Sequence, residues 1–173
     1  MKGSLIALGQ IGGRAVAALM VDGRIEDLAL DPDGIAPGAI LRGVVGRPVK
    51  GLGGVFIELP DGESGFLRAP KGLAPGQRIL VQVTGVTEPG KALPLTQRLL
   101  FKSRYAIVTP EAPGLNVSRA IRDDGARADL SALADAAMQG ADPSLGLILR
   151  SVCVAADDAE IAEDIAQMRA LAE

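Results

Sequence analysis

The chain of 173 residues contains no histidine, no tryptophan, one cysteine, one tyrosine and three phenylalanines. Without histidine there is no imidazole for a nucleophilic triad, for an acid–base relay or for a histidine-ligated metal. The lone Cys153 cannot form an internal disulfide or a multi-thiolate zinc site, and a reducing, cytoplasmic setting suits it best. No apolar run approaches the ~20 residues of a membrane-spanning helix. The apolar part of Met1–Leu8 is too short for a secretory signal. What remains is a chain 48% hydrophobic, rich in small aliphatics, long enough for one domain or two small ones with modest cores.

The net charge of −3 averages over two unlike parts. Residues 1–122 hold 15 Lys and Arg against 10 Asp and Glu, a balance of +5, whereas 123–173 hold 3 against 11, a balance of −8. Residues 34–122 are more basic still, with 12 positive and 5 negative side chains. A basic segment of this kind is the electrostatic footprint of a nucleic-acid binder. The acidic end reads as a solvated helix face.

Short strands dominate the first hundred residues. Leu5–Leu8, Arg14–Val21 and Arg24–Leu30 are apolar-patterned runs, and Asp22-Gly23 between the last two is a tight-hairpin signal. Turn-formers then cluster at Asp31-Pro-Asp-Gly34 and Ala36-Pro-Gly38. Five further strands follow at Ile40–Val49, Val55–Leu59, Glu63–Arg68, Arg78–Thr84 and Ala92–Thr96, which predicts a small five-stranded barrel, because closure removes exposed sheet edges. Past Lys102 the pattern changes to α/β, with buried strands at Tyr105–Val108 and Gly146–Val152, a helix over Ala126–Ala137 and a last helix from Asp157 to Glu173. The expected fold is therefore mainly β with an α/β C-terminal part.

The scarcity of aromatics gives Phe56 and Phe66 their interest. Both fall within Gly53–Leu67, two strands joined by a Pro-Asp-Gly turn. Core packing is the ordinary account of a strand phenylalanine; the alternative is a stacking platform, on which base–aromatic contact is worth roughly 1–3 kcal/mol per base. Arg150-Ser151 follows the apolar run Leu145–Leu149, where a strand emerges from the core. A guanidinium fork and an adjacent hydroxyl match phosphate oxygens, and Ser118, Arg119 and Arg122 are candidates to face them. On spacing alone, a surface salt bridge to the acidic end is the expected account of Arg150. Glycine clusters at Gly12-Gly13 and Gly51–Gly54 lack the Lys-Ser/Thr and helix of a phosphate loop and read as turns. The groups Asp123-Asp124, Asp157-Asp158 and Glu160/Glu163-Asp164 could hold magnesium in principle, but they sit at helix starts and faces; no catalytic or metal residue is assigned.

Taken in order and spacing, these segments resemble the ribonuclease E/G endoribonucleases of bacteria, from Met1 to about Ile165. The resemblance rests on Val55–Leu59 with Ser64–Leu67, Gly76–Val83, Lys91–Thr96, Tyr105–Pro110, Gly114–Asp124 and Gly146–Ser151. It implies a β-hairpin segment over 1–35 that is part of an RNase H-like subdomain, an S1 domain of the OB-fold type over 36–100, and a 5′-sensor subdomain over 101–173. It further implies that Phe56, Phe66 and Lys91 contact single-stranded RNA, with Arg68 and Lys71 among the surrounding basic side chains. Arg150 and Ser151 fall on the pair that clasps a 5′-monophosphate, Ser standing where the family often has Thr. Ile107 falls near the terminal base, with Arg119 and Arg122 in the same sensor region.

The departures are equally informative. Nothing here aligns with the family's DNase I-like region, whose two aspartates hold magnesium for RNA hydrolysis, or with its zinc-linking Cys-x-x-Cys-type element. The link from Arg68 to Pro75 is short where longer relatives carry an insertion. The expectation is a compact family member cut inside its sensor subdomain, binding 5′-monophosphorylated single-stranded RNA, needing no cofactor in this segment and inactive as a nuclease alone. Homo-oligomerisation through downstream regions would belong to the full-length enzyme, as would Mg2+. The rivals are a stand-alone RNA-binding adaptor or chaperone, and an OB-fold protein-interaction module, which the basic balance of 34–122 disfavours.

Overall fold

The computed structural model describes residues 3–31, 34–49, 51–88 and 90–173. Part of the turn cluster expected at 31–34 lies outside them. The chain divides into two compact units, Met1–Ala36 and Pro37–Glu173.

In the first unit, β1 (Ser4–Ile11), β2 (Arg14–Val21) and β3 (Arg24–Leu30) form an antiparallel sheet in that order. Its two hairpins turn on pairs with positive φ at both positions, Gly12 and Gly13 at 60° and 82°, then Asp22 and Gly23 at 49° and 81°. That geometry matches the right-handed twist of the flanking strands, and glycine and aspartate tolerate it best. The Asp22 carboxylate also accepts from the Gly3 N–H at 2.9 Å.

The second unit begins with a closed barrel of order β4-β5-β6-β8-β7, built from β4 (Ile40–Val49), β5 (Gly54–Glu58), β6 (Ser64–Arg68), β7 (Arg78–Val83) and β8 (Leu93–Thr96). The five expected strands are these. Period-two alternation sends Val45, Val55, Ile57, Leu67, Val81, Val83 and Leu95 into the barrel. Neighbours such as Arg42, Phe56 and Arg68 face outwards and are exposed. In β4 the register shifts between Val45 and Pro48, an irregularity that suits a residue with no N–H to donate. A buried glutamine ties the barrel's entry to its exit. Gln82 Nε2 donates to the carbonyls of Gly38 and Leu100, both at 2.9 Å, and its Oε1 accepts from the Leu100 N–H at 2.9 Å.

Beyond the barrel, β9 (Phe101–Lys102), β10 (Ala106–Thr109), β11 (Gly114–Val117) and β12 (Gly146–Leu149) form a sheet of order β11-β12-β10-β9, with β11 parallel to β12. Helices α1 (Asp124–Ala137) and α2 (Asp158–Ala172) share one core with it. That core holds Ala106, Val108, Val117, Leu130, Leu147, Leu149, Ile161 and Ile165. Asp123 caps α1, its Oδ1 accepting from the Ala126 N–H at 2.7 Å. The last strand stops at Leu149 instead of Val152, because Arg150 leads into a 3-10 turn over Ser151–Ala155. Gly114–Val117, to which the sequence pattern assigns no element, is the strand β11. No helix among the described residues is long and apolar enough to cross a membrane.

Candidate nucleic-acid interface

Phe56 and Phe66 are directly opposed in the β5–β6 register, so both side chains leave the same outer face of the barrel. Their ring centroids lie 5.3 Å apart at an interplanar angle of 63°, an edge-to-face pair. Phe56 is 38% exposed and Phe66 half-buried, so neither ring is core. Inward neighbours Val55, Ile57 and Leu67 fill the barrel instead. Phe66 is flanked on its other side by Pro94 of β8, and two residues along β6 the exposed Arg68 shares its face. Across from Arg68 stands Gly54, which presents no side chain. The platform is thus an aromatic pair with a proline on one side and a guanidinium at one end.

The other two cations expected to meet RNA are placed less tightly. Lys91 lies in the loop that leads into β8, and its Nζ is 2.7 Å from Glu88 Oε2, with both side chains largely in water. Such an exposed pair is worth about 0–1 kcal/mol and is readily exchanged for another anion. Lys71 sits on the exposed link between β6 and β7, and nothing ties it to the phenylalanines.

At the far end of the second unit, β12 delivers Arg150 to the surface. Its N–H donates to the Tyr105 carbonyl at 2.8 Å and its Nη1 to the Ser103 carbonyl at 2.5 Å. No carboxylate among the described residues lies within ion-pair distance of it, so the expected pairing with the acidic end does not form. The guanidinium is held by one neutral carbonyl, that of Ser103. Ser151, the first residue of the 3-10 turn, is exposed beside it. Because β11 runs parallel to β12, the Ser118 N–H reaches the Leu149 carbonyl at 2.8 Å. That bond sets the exposed Arg119 at the same end of the sheet as Arg150. Arg127 of α1 donates from Nη1 to the carbonyls of Ser118 and Ile121, at 2.9 and 3.1 Å, and so pins the loop that carries Arg119 and Arg122. Ile107 pairs with Ile148 in register; both point away from the helix-covered core and are half-buried.

Several side chains near Arg150 carried no signal in the sequence. Arg104 lies over the Tyr105 ring at 5.2 Å. The Tyr105 hydroxyl donates to Glu160 Oε2 at 2.8 Å, and this bond, together with burial, raises the phenol above its ordinary pKa, with Arg104 opposing. Cys153, fully buried, donates from Sγ to the Tyr105 carbonyl at 3.3 Å, and burial pushes its thiol up. Two of the acids weighed for magnesium have other partners: Asp123 caps a helix, and Asp164 Oδ2 accepts from Ser103 Oγ and from the N–H groups of Tyr105 and Ala106. Among the described residues no three Asp, Glu or Cys side chains gather where they could hold a metal ion.

The model of the ribonuclease E/G family matches residues 101–173, the sheet and helices that carry Arg150. Curated relatives extend the likeness through the barrel. Ribonuclease E of a Synechocystis species is 29% identical over 170 residues, covering 89% of this chain and 25% of the relative. Ribonuclease E of a Nostoc species is 27% identical over 166 residues, covering 87% of this chain and 24% of the relative. A ribonuclease E/G-like protein of Porphyra purpurea is 25% identical, covering 89% and 33%. The chain therefore spans between a quarter and a third of the length of these relatives.

Proposed function

We propose that this chain, whose residues 101–173 match the ribonuclease E/G family and which is similar to ribonucleases E over most of its length, is the part of such a protein that grips single-stranded RNA and reads its 5′ end. The complete protein would then be an endoribonuclease of RNA processing and decay. The observation that carries the RNA-binding reading is the half-exposed Phe56–Phe66 pair on the outside of a closed barrel, with Arg68 on the same face. A ring turned edge-on to its neighbour leaves its π-face for a base, and stacking of this kind is indifferent to base identity. The backbone phosphates would find Arg68, Lys91 released from Glu88, and Lys71. A 5′-monophosphate would meet the Arg150 guanidinium, which offers a charged fork without a competing carboxylate, and the Ser151 hydroxyl next to it. A triphosphate brings more charge and bulk than one fork and one hydroxyl can satisfy. Arg119 and Arg122 would add to the local field, and Ile107 would offer apolar contact to the terminal base. A reducing, cytoplasmic setting belongs to the same proposal, in keeping with the single buried thiol.

Magnesium, which the family resemblance implies for hydrolysis, has no cradle among the described residues. Of the carboxylates weighed for it, Asp123 caps a helix and Asp164 holds a turn.

Two measurements test the proposal. Phe56→Ala should weaken binding of a single-stranded oligonucleotide by roughly 1–3 kcal/mol, read by fluorescence anisotropy. The residual binding should fall steeply with added salt, as phosphate contacts require. Unchanged affinity in this variant would return the rings to a purely structural role. For the 5′ end, 5′-monophosphorylated and 5′-hydroxyl forms of one oligonucleotide are compared on the native chain and on Arg150→Ala. The native chain should prefer the phosphorylated form and the variant should not; equal affinity in all four combinations would remove the sensor assignment.

A further inference from the structure

The Arg150 side chain is fixed by the turn that joins β9 to β10, and that turn is itself fixed from the opposite side. Arg150 rests on two of its carbonyls, Tyr105 through the main chain at 2.8 Å and Ser103 through Nη1 at 2.5 Å. Carbonyl oxygens can hold a cation's head only as firmly as their own peptide planes are held. Within the turn, the Ser103 N–H closes onto the Ala106 carbonyl at 2.9 Å. The Ser103 hydroxyl also reaches the Ala106 carbonyl at 3.1 Å and accepts from the Ala106 N–H at 3.2 Å, and three donors meet at one further atom. Asp164 Oδ2 accepts from the Tyr105 N–H at 3.0 Å, from the Ala106 N–H at 3.2 Å and from the Ser103 hydroxyl. Hydrogen bonds to a carboxylate are the stronger kind.

The helix that brings Asp164 is well anchored. Ile161 and Ile165 of α2 are wholly buried in the core shared with Ala106 and Leu149, and Asp164 stands on the same side of the helix. One turn earlier, Glu160 holds the Tyr105 hydroxyl at 2.8 Å. Asp164 does not pair with Arg150. It works through the peptide units between them, so the guanidinium is oriented without being neutralised.

We propose that Asp164 is the positioning residue of the 5′-phosphate clasp: it locks the Ser103–Ala106 turn whose carbonyls aim Arg150. This rests on the reading of Arg150 as a phosphate ligand given above. Loss of the carboxylate leaves the Tyr105 N–H without its acceptor and the Ser103 hydroxyl and Ala106 N–H with only their contacts inside the turn, which frees the Ser103 carbonyl to turn and lets the guanidinium swing away. Grip on the barrel-bound part of the RNA is unaffected, because nothing in the Phe56–Phe66 platform depends on α2.

The test is the affinity ratio of 5′-monophosphorylated to 5′-hydroxyl oligonucleotide, measured on the full chain and on Asp164→Ala, Asp164→Asn, Ser103→Ala and Arg150→Ala. A charge-assisted contact predicts a ratio of about tenfold or more in the native chain. Asp164→Ala should bring the ratio close to one while leaving 5′-hydroxyl affinity unchanged. Asp164→Asn should restore most of it, since the amide oxygen can take the place of Oδ2. Ser103→Ala, which removes one of the three donors but keeps the carbonyl, should give an intermediate ratio. If Arg150→Ala leaves the ratio intact, the phosphate-ligand reading fails. If Arg150→Ala abolishes it while a folded Asp164→Ala keeps it, the positioning role alone is overturned. Circular dichroism shows whether Asp164→Ala folds. Should it not, a native-like ratio in Ser103→Ala overturns the proposal in its place.

Discussion

At Gly54 an added Cβ would lie 2.5 Å from the Leu67 carbonyl oxygen and 2.5 Å from Cζ of the Phe66 ring. The ring could rotate away; the carbonyl, fixed in the β5–β6 ladder, could not. The absence of a side chain at this position is thus what lets Phe66 lie back beside β5 and meet Phe56 edge-on. Gly54→Ala should cost about 1–3 kcal/mol of stability, as overpacking a well-filled site does. It should also weaken binding of single-stranded RNA, because the displaced Phe66 no longer supports the platform. Gly85→Ala makes a suitable control: its Cβ would meet only Pro94 Cγ at 3.7 Å, an ordinary contact. Thermal melting and anisotropy on the two variants decide the matter, and a Gly54→Ala chain that melts and binds like the native one would show that the ring geometry is set elsewhere.

At the scale of elements, the parts legible in the sequence were those whose pattern is local. Strands β5 and β6 announce themselves by alternation, with Val55 and Ile57 inward and Phe56 and Glu58 outward, on either side of a Pro-Asp-Gly turn. The phenylalanine pair was legible for the same reason, since opposed strands place their side chains together once the turn is known. Strand β12 was visible as an apolar run, but its end was not. The β-branched residues Val152 and Val154 suggest continuation, yet Arg150 leads the backbone into a 3-10 turn that buries Cys153 against Tyr105. Strand β11 had no readable alternation. It exists through parallel pairing with β12, some 30 residues on, and long-range pairing overrides weak local preference. The surroundings of Arg150 were hidden for a similar reason. Ser103 and Asp164 are 61 residues apart, and neither an isolated serine nor one acid on an acidic helix distinguishes itself. Arg150 itself could be picked out because a cation directly after a buried strand is unusual. What it would touch could not.

Over the whole molecule the two compact units differ in how well they bury what they hold. Residues from the barrel onward enclose nearly all the buried side chains, whereas the three-stranded sheet of the first unit encloses only Ala18. Ile6 and Leu8 leave one face of that sheet 68% and 82% exposed, while Leu5 and Ile11 of the same strand alternate to the other, where Leu28 and Leu30 join them at 40% and 41%. A single layer of sheet cannot cover both of its faces, and apolar patches of this kind promote association. Its outer strands β1 and β3 also present unpaired backbone edges, a second route to the same end. The chain as it stands should therefore self-associate, with a mass in sedimentation equilibrium that rises with concentration. Leu8→Lys puts a charge on the more exposed face, midway along the outer strand β1. Surface changes typically alter stability by less than about 0.5 kcal/mol, so this one should leave the melting temperature nearly unchanged. It should lower the association, and RNA binding should persist, because the platform and the Arg150 site belong to the other unit. A native chain that stays monomeric at every concentration would show that this sheet keeps its aliphatic side chains in water without consequence. Association untouched by the lysine would move the contact to the sheet's edges or its opposite face.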